Sequence, residues 1–167
     1  MQIREERPEE FAQIYHLVQE AFATAQVSDG TEQDFVNELR RRGGYLPALA
    51  LVAEQDGALI GHIMLTKTRW IDSNGKAGEM LLLAPLCVKK EYRSRGIGGR
   101  LIAEACQRAA DAGYPAVFLI GNPDYYTRHG FACMEQYGIS PMPACLCATA
   151  WRGSWCEALC KAKREAG

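Results

Sequence analysis

The sequence predicts a single α+β domain, residues 1–167, built around a mixed β-sheet, and three observations predict it. The run Leu81–Val88 is apolar, short and followed by charge, as expected of a strand buried on both faces. After Gly96 the period changes to that of a helix, with Ile97, Leu101, Ala105 and Ala109 spaced four apart and Gly113 in C-cap position. A second buried run, Ala116–Gly121, then follows.

The remaining elements fall in order around these. Gln2–Glu5 forms a short first strand, and Pro8 starts a helix with Phe11, Ile14, Tyr15, Val18 and Phe22 on one face. Ala23–Gly30 is a loop. Thr31 caps a second helix whose stripe is Phe35, Val36 and Leu39, and Gly43–Gly44 ends it. Leu49–Glu54 and Leu59–Trp70 are strands joined by a hairpin at Asp56–Gly57. Asp72–Gly78 is a further turn, with Asn74–Gly75 at its tip. After the central strand, its helix and the strand to Gly121 come a short helix at Tyr125–Arg128 and two late strands, near Phe131–Tyr137 and Cys145–Trp151.

Composition narrows the class. With 48% apolar residues the chain has enough material for a core, and a net charge of −1 gives no broad attraction to nucleic acid. No apolar run approaches membrane-spanning length and the N-terminus is charged, so a cytoplasmic protein without a membrane partner is expected. The seven cysteines include Cys145-x-Cys147 and Cys156-x-x-x-Cys160, which lack paired Cys-x-x-Cys spacing and a nearby histidine; no metal site is expected.

The chemistry is concentrated where the central strand meets its helix. The turn carries Arg93-x-x-Gly96-x-Gly98 and opens into a helix N-terminus, whose free N–H groups and partial positive charge suit a phosphate. Gly96 and Gly98 allow the backbone to curl, while Arg93, Arg95 and Arg100 add mobile positive charge. The turn is not a P-loop, since Gly-Lys-Ser/Thr is missing, and it lacks full dinucleotide spacing. Pro85 cannot donate to a ladder, so the central strand should bulge or part from a neighbour there. The backbone N–H groups of Leu86, Cys87 or Val88 would then line a slot, suited to a ligand with a phosphate head and an extended arm.

These residues resemble the GNAT superfamily of acetyl-coenzyme A–dependent N-acetyltransferases. The resemblance rests on Val88–Lys89–Lys90–Glu91–Tyr92–Arg93–Ser94–Arg95–Gly96–Ile97–Gly98 and, downstream, on Asn122–Pro123–Asp124–Tyr125–Tyr126–Thr127–Arg128–His129–Gly130–Phe131. Leu39–Arg40, Leu49–Glu54 and Gly57–Ile63 extend it to residues 1–140 and are similar to the YhbS-like branch. It implies a GNAT fold: about six or seven strands splayed at the central one, flanked by about four helices. It also implies an acyltransferase that moves acetyl from acetyl-coenzyme A to an amine of a small molecule or peptide by direct attack, with a possible homodimer. A coenzyme-binding sensor with little turnover is the alternative.

Such a transfer needs a polarised thioester carbonyl, an amine that loses its proton and a thiolate that gains one. The resemblance assigns polarisation to the amides near Leu86, Cys87 and Val88. It assigns the pyrophosphate to N–H groups of Arg93, Ser94, Arg95, Gly96, Ile97 and Gly98, with Gly99 and Arg100 extending the cradle. Tyr126, four residues before Gly130, corresponds to the family's thiol-protonating tyrosine; Tyr125 competes for the role if the helix is phased differently. Asn122 either holds the pantetheine arm or caps the helix beside Pro123. Where some relatives carry a glutamate base, Leu82 stands instead. Glu79, at the strand's start, is the candidate that acts directly or through water, or else a solvated turn carboxylate. His62, inside an apolar strand, reads as structural. The acceptor wall is expected from the Ala23–Gly30 loop, the Asp72–Gly78 hairpin and the turn near Trp151–Gly153.

Overall fold

A computed structural model of the protein describes residues 1–25, 28–71, 77–133 and 149–151. In chain order these form β1 (Gln2–Glu5), α1 (Phe11–Phe22), α2 (Glu32–Arg41), β2 (Tyr45–Gln55), β3 (Ala58–Ile71), β4 (Ala77–Val88), α3 (Ile97–Asp111), β5 (Val117–Leu119), α4 (Pro123–Tyr126), β6 (Phe131–Cys133) and β7 (Thr149–Trp151). Five strands hydrogen-bond in the order β1-β2-β3-β4-β5, and β6 and β7 form an antiparallel pair beside β5. The sheet is mixed: β1 to β4 are mutually antiparallel, whereas β4 and β5 are parallel. The α+β class and the four helices match the expectation, while the sheet expected to hold six or seven strands has five among the described residues, with β6 and β7 as a separate pair.

Each face of the sheet buries its own cluster. Ile97, Leu101, Ile102, Ala105, Cys106 and Ala109 of α3 pack on Leu51, Ile63, Leu65, Leu81 and Leu83. On the other face, Ile14, Leu17 and Val18 of α1 and Val36 and Leu39 of α2 pack on Ala50, Val52, Met64 and Cys87. The β2–β3 hairpin turns at Asp56 (φ 52°) and Gly57 (φ 77°), the pair of left-handed residues that matches the twist of its strands. Strands β3 and β4 run further than their apolar stretches suggest, to Ile71 and from Ala77, with Trp70 opposite Gly78. Gly78 admits the Trp70 indole, whose Nε1 would lie 2.5 Å from a Cβ there. The tip at Asn74–Gly75, the late-strand residues 134–137 and 145–148, and Cys145, Cys147, Cys156 and Cys160 lie outside the described residues.

Two register features create the site. Opposite β3, Ile63 pairs with Leu86 but Leu65 pairs with Leu83, so β4 carries one extra residue in a bulge at Ala84–Pro85. The buried Pro85 sits where no ladder bond is required of it. Meanwhile β5 accompanies β4 only from Leu81↔Val117 to Leu83↔Leu119. From Ala84 to Val88 the central strand continues alongside β3 alone, which is the splay expected from Pro85.

Candidate active site

Ladder alternation decides which amides face the gap. Lys89 N donates to Ile60 O at 2.9 Å, so Lys89 and, two residues earlier, Cys87 turn their N–H groups toward β3. Leu86 and Val88 then present theirs to the side that β5 has left. Of the three residues assigned to the slot, Leu86 and Val88 offer amides and Cys87 offers a wall. The Cys87 side chain is buried against α1, and burial pushes its thiol up to about 12.

The gap opens at its end onto the phosphate turn. A single 3₁₀ turn, Lys90–Tyr92, leads into Arg93; Ser94 (φ 59°) and Gly96 (φ 77°) then take left-handed conformations, and Gly96 caps α3. The free N–H groups of the first turn of α3 thus converge beside the gap. Ser94, Arg95 and Arg100 are exposed around it, and the Arg95 guanidinium lies 5.3 Å from the centre of the Tyr92 ring. Arg93 differs from the expectation of mobile charge. Its guanidinium donates to Val88 O (3.2 Å), Thr24 Oγ1 (3.0 Å) and Ala21 O (2.6 Å), so its side chain is held while its backbone opens the turn.

The second motif docks on the first. Gly98 and Gly99 leave room that α4 and the turn after it fill. The Tyr125 hydroxyl occupies the place of a Gly98 Cβ, and the His129 ring comes within 2.6 Å of where a Gly99 Cβ would stand. The Tyr125 and His129 rings meet at 4.8 Å. Tyr126 takes a different direction. Its ring meets Tyr125 edge-on at 5.1 Å, packs against Phe131 at 5.8 Å and fills the place of a Gly121 Cβ just after β5. Burial, reinforced by Tyr125, pushes the Tyr126 phenol up to about 12. So Tyr125 stands over the phosphate turn and Tyr126 stands at the end of the strand that leaves the gap.

Other candidates stand apart from this group. Asn122 caps α4, its Oδ1 accepting from Asp124 N at 2.9 Å. Glu79 is exposed, on the far arm of β4, with its carboxylate 3.6 Å from Lys67 Nζ. It is seven positions from Leu86, about 20 Å along a strand. His62, opposite Cys87, is fully buried and bound to Glu6. Among the described residues no cluster of histidine, cysteine and carboxylate gathers for a metal. Sequence reasoning missed Thr24, His129 and the held side chain of Arg93. The adjacent glycines at 98 and 99 were the available signal for the docking of α4.

The architecture and its order of motifs have known counterparts. A family model described as "Acetyltransferase (GNAT) family" matches residues 11–131. "Uncharacterized N-acetyltransferase YjhQ" of Escherichia coli (strain K12) is 38% identical over 114 residues, 67% of this chain and 62% of that protein. The chain therefore spans about three-fifths of that relative's length. "Uncharacterized N-acetyltransferase YhbS" of the same strain is 29% identical over 139 residues, 83% of this chain and 78% of that protein. The crystal structure of YhbS from Escherichia coli in complex with CoA superposes with a TM-score of 0.78 at 27% identity, covering 90% of this chain and 80% of the other. A GNAT family acetyltransferase from Brucella melitensis in complex with acetyl-CoA gives 0.71 at 30% identity, covering 92% and 96%.

Proposed function

Because the chain belongs to the GNAT acetyltransferase family, we propose that it is an N-acetyltransferase, a single domain that moves acetyl from acetyl-coenzyme A to an amine. The observation that carries this reading is the pair of β4 amides, Leu86 and Val88, that have lost β5 beyond Leu83 and lead to the N-terminus of α3. The turn from Ser94 to Gly98, with Gly99, holds the pyrophosphate through its N–H groups, and Arg100 adds the charge of its exposed side chain; the amides of Arg93 and Arg100 are already taken by Lys90 O and Gly96 O. The strand amides receive the extended arm and polarise the thioester oxygen as negative charge develops on it. The amine attacks the carbonyl carbon, the new C–N bond forms and the C–S bond breaks.

The leaving thiolate takes its proton from Tyr126, placed by Gly121 and Phe131 at the end of β5. Its raised pKa keeps the phenol protonated until the thiolate forms. The amine gives its proton to water; Glu79, exposed and about 20 Å along β4 from Leu86, takes part only through solvent. Asn122 acts on the arm by fixing the start of α4. The acceptor is the amine of a small molecule or a peptide, and the reaction belongs to the cytoplasm. No described helix is long and apolar enough to cross a membrane.

A thermal-shift measurement with acetyl-coenzyme A tests binding, and free-thiol release across an amine panel tests turnover. Ligand at 100 times Kd stabilises the fold by about 2.7 kcal/mol. Absence of any shift with acetyl-coenzyme A overturns the proposal; a shift without thiol release from any amine favours the sensor reading.

A further inference from the structure

Arg93 ties the phosphate turn to Thr24 and Ala21, 69 and 72 positions earlier in the chain. Its guanidinium bonds Ala21 O at 2.6 Å and Thr24 Oγ1 at 3.0 Å, at the C-terminal end of α1, and Val88 O at 3.2 Å, at the end of β4. Ala21 O is among the last four carbonyls of α1, which have no partner within the helix, so the arginine caps α1 from outside it. Thr24 Oγ1 also reaches back to Ala21 O at 3.4 Å, closing the group. On the sequence reading, the segment that begins there, Ala23–Gly30, of which residues 26 and 27 lie outside the described residues, forms part of the acceptor wall.

The same residue's backbone opens the phosphate turn. Arg93 N bonds Lys90 O at 3.3 Å, and the left-handed Ser94 and Gly96 that follow give the turn its curl. The conformer that makes the cradle is therefore also the one that aims the guanidinium at α1. Val88 contributes twice, its amide to the gap and its carbonyl to the guanidinium.

We propose that Arg93 is a positioning residue that couples coenzyme binding to the order of the acceptor wall, an inference that rests on the acetyl-coenzyme A reading above. Coenzyme in the turn favours the clamped conformer and so steadies the end of α1. By linkage, loss of the clamp weakens coenzyme binding by the same factor that the coenzyme loses in steadying α1. An exposed lysine or glutamine in this place would lack the fork that bridges three acceptors.

Amide hydrogen exchange with coenzyme A as the probe, read at Ala23 and Ala25, tests this. Those amides bond Gln19 O at 3.0 Å and Phe22 O at 2.9 Å. In the wild type, saturating coenzyme A should slow both about tenfold, a coupling of about 1.4 kcal/mol. Thr24→Ser should keep the effect. Thr24→Val, at an exposed position, should lose about half of it with an unchanged thermal melt. Arg93→Met should abolish it and weaken coenzyme A binding by about the same tenfold. Slowing confined to residues 94–100, or equal slowing in wild type and Thr24→Val, overturns the clamp while leaving the coenzyme reading intact. No slowing anywhere and no binding by calorimetry overturn both.

Discussion

His62 Nε2 lies 2.8 Å from Glu6 Oε2, and both side chains are wholly buried although the residues are 56 positions apart. Arg40 donates to the same carboxylate twice, from Nε at 2.9 Å and Nη2 at 2.7 Å, and the Tyr45 hydroxyl donates at 2.9 Å. Phe11 covers the guanidinium, its ring centre 3.9 Å from Cζ. The carboxylate thus ties the end of β1 to α2, β2 and β3 beneath the helices. Arg40→Met leaves a buried carboxylate without its charge partner and should cost about 3–5 kcal/mol in urea unfolding. Replacing Arg42, whose partner Glu38 is exposed with it, should change stability by less than about 1 kcal/mol.

This cluster also sets an acid limit on stability. Burial alone raises the Glu6 carboxyl, but hydrogen bonds from His62 and Arg40 outweigh it and hold it near 2, against 4.5 when free. The folded protein therefore binds the proton less readily than the unfolded chain. The resulting stability, roughly 3 kcal/mol, is present above about pH 4.5 and lost as the pH falls toward 2. Burial, against the pull of Glu6, lowers the pKa of His62 below 6.5, so its neutral form adds stability that begins to fall away below pH 6.5. Denaturant midpoints measured from pH 7 to pH 3 should decline across both windows. In Glu6→Gln the decline below pH 4.5 should shrink; an unchanged slope would remove Glu6 from the account.

Tyr126→Phe should lower the single-turnover rate of acetyl transfer by at least about a hundredfold, with coenzyme affinity held. Tyr125→Phe, at the phosphate turn, should alter coenzyme affinity and spare the chemical step. With its phenol at about 12, Tyr126 stays protonated throughout pH 6–9, so the step that uses it should show no basic limb in that range.

Gly121→Ala places a methyl group where the Tyr126 ring now lies, with Leu119 Cδ1 3.4 Å away on another side. The ring must move, and the rate should fall about tenfold or more because the donor is misplaced. The same substitution made on top of Tyr126→Phe should cost little further rate, since the donor has already gone. Full additivity would show that the glycine acts through something other than the tyrosine.

Glu79→Gln should leave both coenzyme affinity and turnover within about twofold, because proton transfer to water does not depend on an exposed carboxylate paired with Lys67. A loss of tenfold or more would give Glu79 a direct place in deprotonation.

Much of the site could be read along the chain because its causes are local. Gly96 is needed at φ 77°, Pro85 at a position with no ladder bond, and Ile97, Leu101 and Ala105 on one helical face. What escaped was long-range. Nothing near Arg93 in sequence announces that its side chain is spoken for, since Ala21 lies in the last turn of α1 and Thr24 just past it. His62 had the look of a structural histidine, but nothing near it names its partner Glu6, or the Arg40 and Tyr45 that bind the same carboxylate from two further segments. Thr31 precedes α2 as expected, yet its hydroxyl bonds Asp29 Oδ1 at 2.6 Å rather than capping the helix. Propensity names the position, and a neighbouring carboxylate draws the hydroxyl away from the helix N–H groups it would accept from.

The additional residue in β4 works like a shift of reading frame. Before it, Leu81 and Leu83 supply the α3 face; after it, Leu86 and Val88 supply that face, and Cys87 goes to α1. Odd positions serve one layer upstream and even positions serve it downstream. Removing Ala84 would restore a uniform alternation and leave Leu86 and Val88 on the α3 face and Cys87 on the α1 face, so the deletion would take away the bulge and not the layering. The two cores would accept the shorter, regular strand, so the extra residue answers to the gap beside β4 and not to the packing on either face.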